Sequence, residues 1–316
     1  MERVSVVIPN YNGKRFLKAC LGSLERQSFS EFETILVDDG STDGSIPYVR
    51  EKFPWVRLVA LEQNGGFCRA VNAGIRAAKA PYVLLLNNDV AADKEFVGEM
   101  LSGIRRYKKC FSCSAQLRNM HHPELVDDAG DYYCALGWAY ALGKDKPLAA
   151  YQKPRRIFAS CGGAAIYRKA VFEQIGYFDE AHFAYMEDID IGYRARIFGY
   201  ENRYLPKAVV YHAGSGTTGS RYNEFKVRHS AKNNVYVIYK NMPLLQFLIN
   251  LPFLAAGFLA KQLFFIKKGF GREYAQGFAE GLSLCHKGRK VPFSPKHLKN
   301  YAVIQAELWI NMFRRF

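Results

Sequence analysis

The sequence lacks the residue sets that several common functions require. Its seven cysteines (20, 68, 110, 113, 134, 161 and 285) are odd in number, and the Cys110-x-x-Cys113 pair has no second pair to complete a zinc set. They read as reduced, mostly buried thiols of a cytosolic compartment. A secretory leader is missing too: "MERVSVVIPNYNG" enters a strand-like run at once, with no long apolar stretch ending in small residues. The N-terminal domain is therefore expected to stay in the cytoplasm. No internal repeat or low-complexity tract is evident. Acid is scarce at one end, where residues 215–316 hold sixteen Lys and Arg against four Asp and Glu, so +12 of the net +15 lies in the last third. The partner of that charge belongs at the C-terminal end.

With 316 residues, 49% of them hydrophobic, the chain can bury a large core and hold one big domain plus an appendage. "VSVVIP" (4–9) and "FETILVDDG" (32–40) are apolar runs suited to strands covered on both faces. Between them "GKRFLKACLGSLERQ" places Phe16, Leu17, Cys20, Leu21 and Leu24 at helical spacing. "VRLVALEQ" (56–63), the helical "GFCRAVNAGIRAAKA" (66–80) and "YVLLLNND" (82–89) continue the alternation. This predicts an α/β fold with a mostly parallel sheet and helices on its faces. In such sheets ligands bind outside the carboxyl ends of the strands. There the chain offers "PNYNG" (9–13), "DDGSTDGS" (38–45), "NGG" (64–66) and "NND" (87–89). Turn chemistry explains any one of them, but not four on one edge.

Two further stretches carry candidate chemistry. In "FAYMEDIDIGYRARIFGY" (183–200), Glu187, Asp188 and Asp190 crowd the start of a helix. Acids there complement the helix dipole, and Asp190 with Arg194 is a favourable i,i+4 pair. Ile189, Tyr193 and Ile197 give that helix an apolar side, so structure alone could account for it. Asp89 follows the run "VLLL", where a strand delivers a side chain into a crevice. A hard divalent cation carrying a diphosphate needs only one or two carboxylates. The residue two before Asp89 is Asn87, so the site should need another protein ligand, and His212 in "VVYHAGSG" is the candidate.

The ordered set "VSVVIPNYNG", "VDDGSTDGS", "NGGFCRAVNAGI", "LLLNNDV", "CGGAAIYRKAVFEQIGYFDE", "YMEDIDIGYRAR" and "VVYHAGSGT" resembles the family 2 glycosyltransferases, particularly the bacterial rhamnosyltransferase-like branch, over roughly residues 3–240. The resemblance implies a GT-A fold, a nucleotide-sugar donor, Mg²⁺ or Mn²⁺, and transfer with inversion at the anomeric carbon. Carried over by position, it puts Pro9, Asn10 and Asn12 in the nucleotide pocket and gives Asp39 the N3 proton of a uracil or thymine. Asn64, Arg69 and Asn72 would line the donor, with Asn88 beside the ribose and diphosphate. Asp89 and His212 would bind the metal, and Asn87 would leave that site lightly charged. Asp188 would be the base, ionised at its helix start, and Glu187 would orient the acceptor or cap the helix. Gly162 and Gly163 would let backbone approach the sugars, and Arg194 could reach phosphate.

Residues 1–240 would then be the catalytic domain and 241–316 a basic, apolar helical region. "NMPLLQFLINLPFLAAGFLA" (241–260) has the roughly 20-residue length of a membrane span. Its Pro243, Pro252, Asn241, Asn250 and Gln246 make it a poor one. With "LKNYAVIQAELWINMFRRF" (298–316), it suits helices lying on an anionic membrane surface, on the cytoplasmic face. A buried helical subdomain or a homo-oligomer contact is the alternative. A lipid-linked glycan acceptor fits such attachment, with dTDP-rhamnose the first-choice donor and UDP-sugars next. Two rival classes remain to be weighed. A nucleotide-sugar pyrophosphorylase should open with a glycine-rich basic loop, of which "PNYNGKRF" is a poor version. A nucleic-acid-binding protein would not set its basic residues beside long apolar runs, so no nucleic-acid partner is expected.

Overall fold

A computed structural model describes residues 3–214 and 222–314. The first β-branched run forms β1 (Val4–Asn10), buried along almost its whole length. It pairs in parallel with β2 (Phe32–Asp38), from Val4 opposite Phe32 to Asn10 opposite Asp38. The connecting α1 (Lys14–Glu25) buries Leu17, Cys20, Leu21 and Leu24 against the sheet. After α2 (Ser45–Lys52), β3 (Arg57–Ala60) pairs in parallel outside β2. The crossover through α3 (Phe67–Ala77) brings β4 (Tyr82–Leu86) to the other side of β1, again parallel. Apolar runs covered by helices on both faces give this pattern, because a parallel strand cannot be reached by a tight hairpin.

The second half completes the sheet less regularly. β5 (Val90–Ala92), α4 (Phe96–Arg106) and β6 (Cys110–Asn119) lead into the short β7 (Val126–Asp128) and a hairpin of β8 (Asp131–Cys134) and β9 (Trp138–Ala141). β10 (Arg155–Ile157), β11 (Ala164–Arg168), α5 (Lys169–Ile175), α6 (Glu187–Ile197) and β12 (Glu201–His212) follow. The strand order is β10-β12-β6-β11-β4-β1-β2-β3, with β5 on β12 and β7 on β6. β11 runs antiparallel to both β4 and β6, whereas β12 and β6 are parallel. The strand ends Asn10, Asp38 and Leu86 open on one edge, and the antiparallel β11 contributes its beginning there through Ala164 opposite Leu86.

Four helices form the C-terminal layer: α7 (Glu224–Asn241), α8 (Leu244–Lys267), α9 (Gly271–Lys287) and α10 (Leu298–Arg314). Ile189, Tyr193 and Ile197 of α6 pack with Tyr133, Phe158, Leu254, Tyr301, Ile304 and Leu308 in one cluster, so the layer shares a core with the α/β part of the chain. α8 is polar inward and apolar outward. Gln246 accepts from the Tyr193 hydroxyl at 2.7 Å, and the Asn250 and Gln305 amides hydrogen-bond each other in both directions. Leu244, Leu245, Leu248, Leu251, Leu259 and Leu263 are exposed. The polar residues that argue against a span are thus the ones the protein buries.

Gly257 sits where α8 crosses the β8–β9 hairpin, and a Cβ there would lie 2.0 Å from the Leu136 carbonyl oxygen. Trp138 Nε1 donates to the Gly257 carbonyl at 3.0 Å, and Asn234 Nδ2 to the Gly137 carbonyl at 2.7 Å. Gly257→Val should therefore push the helix off the hairpin. We expect a destabilisation of about 1–3 kcal/mol, read as a lowered denaturant midpoint. An unchanged midpoint would mean that this contact does not hold the layer in place.

Candidate active site

The nucleotide end is built at the tips of β1 and β2. Asn88 Nδ2 donates to Asn10 Oδ1 at 2.7 Å, Asn10 Nδ2 donates to Asp38 Oδ2 at 2.8 Å, and Asp38 Oδ1 accepts from the Ser41 amide. Asn12, at φ 49°, accepts from the Thr42 amide and so ties the first loop to the second. Pro9 precedes these residues, paired with Val37. Asp39 is buried, and its two oxygens accept from the amides of Gly65 and Gly66 at 3.0 and 2.9 Å. Burial raises its pKa, against the pull of those amides and of the nearby Arg69. The Asn64 side-chain oxygen accepts from Gly66 N at 2.9 Å, closing the turn that supplies the amides.

At the other end of the crevice, Asp89 and His212 meet. His212 Nε2 lies 3.4 Å from Asp89 Oδ1, a buried oxygen with no hydrogen-bond partner. Nδ1 of the same ring lies 2.7 Å from Asp127 Oδ2. Burial works against a charge on His212, but Asp127 and Asp89 outweigh it and hold the pKa up at about 9. A carboxylate on the far nitrogen is the usual way a metal-binding imidazole is oriented. An unpartnered carboxylate oxygen facing an oriented imidazole therefore fits a divalent cation. Lys144 pairs with Asp127 as well, so the site carries positive charge close to the candidate ligands. The residues 215–217 that end the motif around His212 lie outside the described residues.

Glu187 and Asp188 open α6 from a contorted approach. Phe183, Tyr185 and Met186 all have positive φ, at 64°, 71° and 68°. Such strain persists only where the surroundings impose it. Here Asn233 Nδ2, from α7, reaches the carbonyls of His182, Ala184 and Tyr185, each at 2.8 Å. Asp188 Oδ2 accepts from the Gly162 amide at 2.9 Å, while its Oδ1 and Glu187 Oε2 are buried without partners. Burial, and then the Glu187 charge, raises the pKa of Asp188 well above the usual range. Burial also lifts Glu187 to about 7. This differs from the expectation of a fully ionised base, because desolvation at this helix start outweighs the helix dipole. A base poised near neutrality is what proton abstraction needs.

A chain of contacts joins the three ends. A Cβ on Gly66, whose amide Asp39 holds, would meet the Phe183 ring at 2.6 Å. One on Gly162 would meet Asp188 Oδ1 at 2.8 Å and the Phe67 ring at 3.2 Å, so glycine is required there. Gly163 has no such crowding, but its carbonyl accepts from Asn87 N at 2.9 Å, two residues before Asp89. Two expected ligand contacts are not brought to the crevice. Asn72 donates to the Phe178 carbonyl and to Glu180, and accepts from Phe178 N, so its amide joins α3 to that segment. Arg194 binds Asp190 and the carbonyls of Ile175, Gly176 and Tyr177 through Nε and both terminal nitrogens.

Four residues escaped the sequence reading. Asp127 orients His212, and its neighbour Asp128 lies on the opposite side of β7 with Asp131 and Cys161, their ligand atoms within 4.8 Å of one another. The pair "VDDAGD" (126–131) was the available signal, in composition no different from a turn. Burial raises Asp128, Asp131 (to about 8, helped by Asp188 and Glu187) and Cys161. One of the three is sulfur, a soft ligand that suits Mg²⁺ or Mn²⁺ poorly.

The mixed sheet with its polar strand ends, the Asp89–His212 pair and the buried Asp188 at Gly162 are the architecture of a glycosyltransferase of the GT-A fold. A family profile, Glycosyl transferase family 2, matches residues 5–176, and the chain belongs to that family. It is 27% identical over 241 residues to an N-acetylglucosaminyl-diphospho-decaprenol L-rhamnosyltransferase of Mycobacterium tuberculosis, across 68% of this chain and 77% of that one. Among solved structures it resembles a Pyrobaculum calidifontis mannosyltransferase in complex with GDP-Man and Mn²⁺, with TM-score 0.57 and 17% identity over 97% of this chain and 84% of that one. GalNAc-T7 with UDP, GalNAc and Mn²⁺ aligns with TM-score 0.60 and 18% identity over 75% of this chain and 48% of that one. These two structures support the fold.

Asp188→Asn should leave the fold intact and lower turnover by about 10²- to 10⁴-fold. Below the pKa of the acidic pair the base already carries its proton, so kcat should rise with pH through an acid limb. That limb belongs to the pair. In Glu187→Gln it should move to lower pH, because one like charge beside Asp188 is gone. An unmoved limb would remove Glu187 from the proton chemistry. Separately, Asp127→Asn should weaken Mn²⁺ binding about 10- to 100-fold in titrations followed by calorimetry, and equal affinity would show that Asp127 orients nothing.

Proposed function

We propose that this glycosyltransferase inverts the anomeric centre while moving a sugar from a nucleoside diphosphate to a hydroxyl of a lipid-linked glycan at the cytoplasmic membrane surface. dTDP-rhamnose is the first-choice donor, with UDP-sugars next. The observation that carries the reading is the arrangement of the crevice. The Gly162 amide donates to Asp188 Oδ2 at 2.9 Å and the Gly163 carbonyl accepts from Asn87 N at 2.9 Å, two residues before Asp89, so one glycine loop ties the proposed base to the strand end that carries the proposed cation pair.

The chain's own residues divide the work. Asn10, Asn12 and Asn88 hold the first two loops together, and Asp39, fixed by Gly65 and Gly66, offers its remaining lone pairs to a pyrimidine imide. Arg69, beside Asp39, adds positive charge to the donor side. Asp89 and His212 would hold Mg²⁺ or Mn²⁺, which when bound neutralises charge on the departing diphosphate. Asp188 takes the acceptor hydroxyl proton from the opposite side. Glu187, Asp128 and Asp131 line the acceptor end and receive its other hydroxyls. The decaprenol in the name of the mycobacterial relative supports a lipid-linked acceptor. So does α8, whose 24 residues reach a mean hydropathy of 1.6 in their most apolar window, with the leucines turned outward. We read residues 1–240 as the catalytic unit and 241–316 as the part that rests on anionic lipid, with the positive charge of the last third facing it.

Release of dTDP or UDP from a panel of nucleotide-sugars tests this reading, measured with and without Mg²⁺ and with a polyprenyl-diphosphate-linked sugar as acceptor. Cation-dependent release of one diphosphate, with an anomerically inverted product by NMR, is expected. A retained configuration, or full activity in chelator, would overturn it.

A further inference from the structure

A groove of about 780 Å³ runs between α8 and α10 and is roofed by the segment from Lys290 to Phe293. That is within the range of about 300–1,000 Å³ typical of small-molecule sites. Leu245, Ile249, Phe293, Ala302 and Trp309 line it. Its two glutamines contribute little polarity: Gln246 is held by the Tyr193 hydroxyl, and Gln305 is closed on Asn250. One end of the groove is different. Lys290 stands in its wall, and residues 287–299 contain Lys287, Arg289, Lys290, Lys296 and Lys299 with no acid among them. Lys290 Nζ lies 5.4 Å from the centre of the Tyr239 ring, a contact that leaves its N–H groups available to an anion.

We infer that this groove seats one isoprenoid chain of a polyprenyl diphosphate, with the diphosphate against the cationic segment at its mouth. The inference rests on the lipid-linked acceptor proposed above and gives that acceptor a place. Charge decides the occupant: Lys290 in the wall of an apolar trough, within a stretch that holds four further cations and no acid, matches a chain that carries two phosphates. A bilayer needs no trough, and the outward leucines of α8 already offer it a broad face. The position is suitable as well. Gln246, in the groove wall, bonds Tyr193, which lies five residues along α6 from Asp188, or about 8 Å along the helix axis. The groove wall is thereby bonded to the same helix that presents Asp188.

Farnesyl diphosphate, soluble and short, is the probe, titrated into the full chain and followed by calorimetry. It should bind saturably and at least about tenfold more tightly than either farnesol or inorganic diphosphate. Ala306 is exposed and lines the groove, so Ala306→Trp fills the trough without entering the core. It should weaken farnesyl diphosphate at least about tenfold, as loss of a buried isoprene unit implies. Lys290→Glu should weaken it as well, whereas Leu259→Ser, on the outward face of α8, should not. Undiminished binding in Ala306→Trp would overturn the inference. Equal displacement by phosphatidylglycerol vesicles would assign the groove to membrane phospholipid instead. Conversion of a dimer to a monomer by Ala306→Trp in sedimentation would assign it to a second copy of the chain. The unaltered chain separates this from the reaction itself: farnesyl diphosphate bound by a chain that, with Asp188 in place, releases no nucleotide from any donor would retire the enzyme reading and leave the groove assigned.

Discussion

Asp190 lies fully buried in the first turn of α6, where it accepts from Arg194 Nη2 and Lys240 Nζ at 2.8 and 2.9 Å and from Asn241 Nδ2 at 2.8 Å. Burial alone would make this acid weak, yet Arg194, Lys240 and the buried His182 outweigh it and hold its pKa well below the usual range. Removing one partner from such a buried cluster typically costs about 3–5 kcal/mol. Helices α6 and α7 are consequently fixed against each other at the point where α6 begins. Lys240 also reaches Asp179, and Asn233, two turns earlier on the same face of α7, clamps the strained turn before Glu187. The two candidate acids are therefore presented by a rigid scaffold even though they follow three residues of unfavourable φ.

Electrostatically the crevice has two unlike halves. On the donor side, carboxylates are met by cations or amides: Asp39 by Gly65, Gly66 and Arg69, and Asp127 by His212 and Lys144. On the acceptor side, Glu187, Asp188, Asp128 and Asp131 crowd one another, and burial with mutual repulsion raises them all. On the function proposed above, the first half would receive an anion, and the second would exchange a proton and hold neutral hydroxyls. Both follow from where desolvation is compensated and where it is left uncompensated.

How much of this was legible depended on the range of the interaction. The strands and helices of the first half could be read because each announces itself by a local period, and the polar strand ends followed from topology. Asp188 and the pair Asp89 and His212 were singled out by residue type and by the family resemblance, and the fold brings His212 to 3.4 Å from Asp89. Asn72 and Arg194 were misjudged as ligand contacts, since the carbonyls that occupy them belong to residues 175–178, brought close only by the tertiary fold. Asp127, Asp128 and Asp131 went unread because β7 is three residues long and is followed at once by a turn at Gly130, a composition that any turn would share. The polar positions of α8 counted against a membrane surface for a related reason. Nothing local indicates that Gln246 and Asn250 point inward.

β7 carries one acid to each half of the crevice from adjacent positions, and adjacent residues of a strand point to opposite faces. Asp127 serves the histidine beside Asp89, and Asp128 stands with the acids around Asp188. Only one peptide unit separates the two roles, so neither can be repositioned by moving backbone without displacing the other. A substitution that re-shapes the proposed acceptor end is therefore confined to side-chain exchange at 128 and 131, because any shift of the backbone through 126–128 would also displace Asp127 from His212.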